Sequence, residues 1–162
     1  MIIARRLGLS IFLLGWIAGC SGEDEPAAEG PEELGYDPAK LEAPDDVGGI
    51  PIDAVQDQSG IASRVLVEGT GTVKPTVNDT VRVDYVGWQT NGNRFDSSYE
   101  EGEPAQFRVM GVIDGWVYGL RLMVEGEERR LWIPANLAYE GVPNRPQGML
   151  VFDVVLLEIL PR

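Results

Sequence analysis

Histidine is missing from this 162-residue chain, and cysteine occurs once, at Cys20. The first absence removes the side chain that most often carries protons near neutral pH. The second excludes a disulfide within the chain and the Cys/His clusters that hold structural zinc. Cations are scarce as well: 13 Lys and Arg stand against 26 Asp and Glu, a formal net charge of -13. No basic stripe is available to displace counterions from phosphate, so nucleic acid is excluded as a partner. Uninterrupted apolar runs are few. The stretch from Leu7 to Ala18 falls short of the about 20 residues that cross a bilayer.

What is present is unevenly spread. Residues 1–20 hold Arg5 and Arg6 and no acid. A short positive region, an apolar core and small Gly19 before Cys20 fit a signal peptide over residues 1–20. Ile17-Ala18-Gly19-Cys20 resembles the bacterial lipobox. That resemblance implies lipidation of Cys20 and anchoring to a membrane, at about 0.8 kcal/mol per buried methylene. Ser21 stands where an inner-membrane retention signal has Asp, which points to the outer membrane, facing the periplasm. The plainer readings are an ordinary secretory signal with Cys20 incidental, or a retained anchor helix.

Residues 21–58 carry twelve acids against Lys40 alone, interspersed with Pro26, Pro31, Pro38, Pro44 and Pro51. Apolar residues lack a period there, and high charge with little apolar surface does not offset ordering entropy. The expectation is an acidic disordered tether, reaching about 35 Å as a flexible coil. Its carboxylates lack the ligand spacing and internal glycine of a calcium loop.

From Ser59 the texture changes, with fourteen acids against ten cations over residues 59–162. Arg64 to Val67 reads as a strand. Val81, Val83 and Tyr85 alternate with Arg82 and Asp84, the pattern of a half-buried strand. Asn91-Gly92 predicts a hairpin with a type I′ turn. Gln106 to Met110, Arg129 to Ile133 and Met149 to Leu160 read as further strands. Trp116, Leu120 and Met123 recur at helical spacing, predicting a short helix from Gly115 to Met123 despite Gly119, which costs up to about 1 kcal/mol relative to alanine. The fold class is α+β: a twisted antiparallel sheet of five to six strands wrapped around one short helix. On periodicity alone Trp116, Tyr85, Phe95 and Phe152 are core residues, and Asp96-Ser97-Ser98 caps a turn.

Several stretches, taken in order, resemble the FKBP-type peptidyl-prolyl isomerases. They are Glu68-Gly-Thr-Gly71, Val83-Asp-Tyr-Val-Gly87, Arg94-Phe-Asp-Ser-Ser98, Val112-Ile-Asp-Gly-Trp116, Leu137-Ala-Tyr139 and Leu150-Val-Phe-Asp-Val154. The resemblance runs from about Gln58 to Leu160 and implies an isomerase domain over residues 59–162, with a pocket between sheet and helix. It implies that the substrate proline lies on Trp116, walled by Tyr85, Phe95 and Phe152. The Ile113 N–H, with Val112 beside it, is implied to bind a substrate carbonyl, and Ala138 is implied to be a further substrate-binding residue. Tyr139 would donate to the carbonyl that rotates, and Asp96 would orient the site electrostatically. No metal and no cofactor are implied, and the family suggests a monomer acting on proline-containing polypeptides as exported proteins fold. The alternative is a non-catalytic module that holds one proline-bearing envelope partner. Two departures support it. Ala105 stands where the family usually has an aromatic, and the loops at Met110-Gly111 and Glu140 to Gly148 are short.

Overall fold

The computed structural model describes residues 38–161. Seven antiparallel strands form one sheet: β1 (Val55–Gln56), β2 (Ala62–Val67), β3 (Thr80–Gln89), β4 (Arg94–Ser97), β5 (Ala105–Arg108), β6 (Glu128–Ile133) and β7 (Leu150–Leu160). Their order is β1-β2-β6-β7-β3-β4, and β5 pairs with β3 beside β4. The long strands β3 and β7 pair along their whole length, from Thr80 opposite Leu160 to Gln89 opposite Leu150. Period-two alternation sends Tyr85, Leu131, Ile133 and Phe152 to one face, and Val86, Trp88, Trp132 and Val151 to the other.

After the single turn α1 (Ser98–Glu101), the first face receives α2 (Asp114–Leu120), whose buried residues are Gly115, Trp116, Gly119 and Leu120. Seven residues are too few for a stable isolated helix, so tertiary packing holds this one. Its glycines set the approach. A Cβ on Gly115 would stand 2.3 Å from Ile133 Cγ2, and one on Gly119 2.4 Å from Leu131 Cδ1. Two bare positions on one helix face thus let the backbone settle directly onto β6. The helix is shorter than the sequence predicts. Leu122 and Met123 donate to the carbonyls of Gly119 and Leu120, three residues back, so the chain tightens into turns. Met123 is still fully buried.

The opposite face corrects the expected tether. Residues 39–54 lie across the sheet as a strap, so the packed chain begins at least twenty residues before Ser59. Val47 is buried there with Ala62, Val86, Trp88, Trp132 and Val151. Both indoles donate to the strap's backbone, Trp88 Nε1 to the Leu41 carbonyl at 3.4 Å and Trp132 Nε1 to that of Asp46 at 3.2 Å. Lys40 Nζ meets both oxygens of Glu128, at 2.6 and 2.7 Å. Asp46 bridges Arg64 and Arg130, and Arg130 also forks onto Asp153 at 2.6 and 2.7 Å. Acids that read as spacer charge by composition are partners for arginines on the back of the sheet. Directly after the strap, and still within the expected tether, β1 adds one strand to the five or six expected and brings the sheet to seven. Residues 21–37 of the expected tether, the signal peptide and Cys20 lie outside the described residues.

The β3–β4 hairpin also differs in detail. Gly92 has φ +83°, and Asn144 is the non-glycine residue with positive φ among the described residues, so Asn91 does not adopt it. A type I′ turn needs positive φ at both central positions. Here the Gln89 carbonyl accepts from Gly92 N–H and Gln89 N–H donates to the Asn93 carbonyl, giving a three-residue loop that ends on glycine.

Candidate active site

Phe95-Asp96-Ser97-Ser98 forms β4 and the start of α1 (Ser98–Glu101). In the ladder Gly87 pairs with Asp96 and Trp88 with Arg94, which leaves Phe95 as an extra residue in a bulge. A bulge lets consecutive side chains serve one face. Phe95 packs on Phe152, ring centroids 5.5 Å apart and planes at 86°, while Asp96 lines the cavity beside them. Gly87 makes room for that ring pair: a Cβ there would lie 2.6 Å from Phe152 and 2.9 Å from Phe95. The two serines hold Tyr85. Ser97 Oγ donates to the Tyr85 carbonyl at 3.2 Å, and the Tyr85 N–H donates to Ser98 Oγ at 3.0 Å. Ser98 in turn donates to Asp84, and Ser97 caps α1 by accepting from the Tyr99 N–H. The motif therefore caps a helix and fixes Tyr85 at once.

Above these residues opens a cavity of about 320 Å³ lined by Tyr85, Asp96, Phe107, Gly111, Val112, Ile113, Trp116, Tyr139, Arg145 and Phe152. Trp116 is its floor. Tyr85, Phe107 and Phe152 meet the indole edge to face at 5.1, 5.6 and 5.4 Å, with interplanar angles of 87°, 85° and 88°. Such edge-to-face pairs each contribute about 0.5–1.5 kcal/mol beyond burial and fix ring orientation. The indole is 4% exposed, so it packs as a core residue and still forms part of the cavity wall. Its Nε1–H is buried without a hydrogen-bond partner among the described residues, at a cost of about 1–3 kcal/mol. The Tyr85 hydroxyl is pushed well above the usual phenol range, first by burial and then by the adjacent Asp96 carboxylate. It stays a neutral donor throughout the physiological range.

Two donors stand at the rim. Ile113 precedes α2 as its N-terminal cap residue, and its N–H donates to no group among the described residues. The Tyr139 hydroxyl is likewise without a protein partner among them, while its ring faces the Arg145 guanidinium at 5.2 Å. The loop from Tyr139 to Gly148 is held by one side chain. The two N–H groups of Gln147 Nε2 are shared among the carbonyls of Tyr139, Val142 and Arg145 at 3.1, 3.0 and 2.9 Å, and its Oε1 accepts from Gly141 N–H at 3.1 Å. The arrangement offers an apolar, ring-lined floor with a few directed donors at its edge.

The model of the FKBP-type peptidyl-prolyl cis-trans isomerases matches residues 71–157. This chain belongs to that family. It is 47% identical over 107 residues to the FKBP-type 22 kDa peptidyl-prolyl cis-trans isomerase of Escherichia coli K12, covering 64% of this chain and 52% of the relative. The crystal structure of FkpA from Escherichia coli superposes with a TM-score of 0.64 at 40% identity, over 68% of this chain and 53% of that one. The outer membrane protein MIP of Legionella longbeachae is 39% identical over 105 residues, 62% of this chain and 45% of its own length. This chain thus spans about half the length of the relatives it matches. The fold is the FKBP fold, an antiparallel sheet with one main helix.

Within this FKBP domain the cavity brings together Tyr85, Asp96, Val112, Ile113, Trp116, Tyr139 and Phe152 from the residues expected from sequence. Phe95 and Ala138 are not part of its lining. Phe95 buttresses Phe152 from behind, and Ala138 is packed against the core. Phe107, Gly111 and Arg145 line the cavity without having been singled out. Alternation along β5 was the available signal for Phe107, since Ala105 and Phe107 turn inward while Gln106 and Arg108 are exposed. Nothing local marks Arg145.

Proposed function

We propose that this chain catalyses cis–trans rotation about the bond preceding proline in polypeptides. The observation that carries the reading is the indole floor of Trp116, boxed by Tyr85, Phe107 and Phe152 and open above. Rotation about an X-Pro bond takes tens to hundreds of seconds unaided, yet no covalent bond breaks. Planar amide resonance makes the ground state polar, and the twisted transition state has lost that resonance. A dry, apolar floor therefore disfavours the planar form more than the twisted one, which is differential stabilisation of the transition state. The proline ring would rest on Trp116. Ile113 N–H would hold a carbonyl of the substrate backbone, and the Tyr139 hydroxyl would donate to the carbonyl that rotates. Asp96 keeps the Tyr85 phenol oriented and takes no part in proton transfer.

The test is acceleration of cis–trans relaxation in a proline-containing tetrapeptide, with Trp116→Ala and Tyr139→Phe beside the parent. Parent rates no higher than those of Trp116→Ala remove the catalytic reading and leave a proline-binding module.

We further propose that the domain is tethered at the outer membrane, facing the periplasm, through lipidated Cys20, where as a monomer it assists exported proteins. The support is the Ile17-Ala18-Gly19-Cys20 pattern after an apolar stretch, together with kinship to a protein named for the outer membrane. Among the described residues no helix is long and apolar enough to cross a membrane. Labelled palmitate should enter the parent chain and not Cys20→Ser. Equal labelling of both removes the anchor.

A further inference from the structure

Beside the ring-lined cavity lies a second hollow, of about 450 Å³, that shares Tyr85 and Phe107 with it as a common wall. Its other principal sides are Pro104, Ala105, Glu101 and Glu103. The space exists for two reasons. Ala105 starts β5 on the same side as Phe107 but carries only a methyl group, and Gly102 at φ +78° turns the chain out of α1. The two carboxylates on the far bank are exposed, and neither forms an ion pair or hydrogen bond among the described residues. Their neighbour Glu100, by contrast, is taken by Arg94. Glu101 stands near enough to Tyr85 for its charge to be felt at the phenol.

Direction follows from the first cavity, and this step rests on the prolyl-peptide reading given above. The rotating carbonyl belongs to the residue before proline and faces Tyr139. Neither Tyr139 nor Arg145 lines the second hollow. Tyr85 and Phe107, which line both spaces, are the wall over which a chain leaving proline away from Tyr139 would pass. We infer that the side chain of the residue following proline enters this hollow, and that the hollow selects lysine or arginine there. A long cationic side chain fits both halves of its chemistry. Its methylenes lie along Phe107, Pro104 and the Ala105 methyl, and its charged head reaches Glu101 and Glu103. A glutamate in the same place would meet two like charges.

Line-shape exchange measurements on Ala-Leu-Pro-Lys and Ala-Leu-Pro-Glu peptides, using the full chain, test this. The lysine peptide should show a kcat/KM roughly three- to tenfold higher at low salt, as solvent-exposed pairs permit. That ratio should shrink toward one in high salt, in the Glu101→Gln/Glu103→Gln double variant, and in Ala105→Phe, which fills the hollow. Equal rates in the parent, or a preference that survives all three changes, overturn the inference while leaving isomerase activity standing. If neither peptide is accelerated, the isomerase reading fails instead, and titration then decides the hollow. Tighter binding of the lysine peptide, with shifts at the Ala105 and Gln106 amides, upholds it. Equal binding of both peptides overturns it.

Discussion

The guanidinium of Arg145 lies 5.2 Å from the centre of the Tyr139 ring, at the mouth of the cavity. Nothing in the spacing of the two residues requires it. Gln147 does, because its amide joins the carbonyls of Tyr139, Val142 and Arg145. An exposed cation–π contact contributes about 0.5–1 kcal/mol. Arg145→Ala should therefore lower kcat/KM about two- to fivefold. Gln147→Ala should do the same by releasing the loop. If Gln147 acts through Arg145, the double variant is no worse than the poorer single one. Additive losses in that cycle would separate the two residues.

The glycines of α2 make a prediction opposite to helix propensity. Alanine at Gly119 gains up to about 1 kcal/mol of propensity. Its methyl, however, would stand 2.4 Å and 2.9 Å from the two Leu131 methyls, and overpacking costs about 1–3 kcal/mol. Gly119→Ala should be destabilised by about 1–2 kcal/mol on balance, read as a lower urea midpoint with unchanged slope. A rise in midpoint would mean that α2 can lift from β6 without loss.

Asp46 ties the strap to the back of the sheet. Its carboxylate bridges Arg64 and Arg130, and its carbonyl accepts from Trp132. Arg130 keeps Asp153 when Asp46 is removed, so the loss is smaller than for an orphaned buried charge. Asp46→Ala should cost about 1–2 kcal/mol, together with a red shift in tryptophan emission as water reaches Trp132. Asp53→Ala, at a more exposed partner of Arg64, should cost less than about 0.5 kcal/mol. Equal effects would place the strap's contribution elsewhere.

Tyr85 should shape stability in alkali. An unfolded tyrosine loses its proton at about 10, whereas burial and Asp96 hold the folded phenol protonated well beyond that. As pH rises through the unfolded value, the unfolded state alone sheds the proton and is favoured. The stability that Tyr85 contributes is thus fully present below about pH 10 and drains away above it. Tyr85→Phe should lose less stability than the parent between about pH 9 and 12 in denaturant titrations. Parallel losses would show that the phenol titrates normally.

Much of this architecture was legible in the chain. Alternation at Val81, Val83 and Tyr85 marked β3, and helical spacing of Trp116 with Leu120 marked α2, because side-chain period follows directly from local backbone geometry. Other features depend on partners far away in sequence. Lys40 and Asp46 read as tether because composition does not reveal that Glu128 and Arg130 wait on the back of the sheet. The turn at Asn91-Gly92 was placed correctly, but its type was set by the register of the strands it joins.

By itself, the order of residues determined the family, six of the seven strands and the main helix. These are properties of short-range pattern and of motifs read in sequence. Only the tertiary structure decided that the bulge at Phe95 turns Phe95 behind Phe152 while Asp96 faces the cavity, and that Phe107 and Arg145 complete the lining. It alone decided that Ala105 leaves an acidic hollow beside Tyr85. The reason is physical: a cavity is the space that several distant segments fail to fill together, and no single segment encodes it.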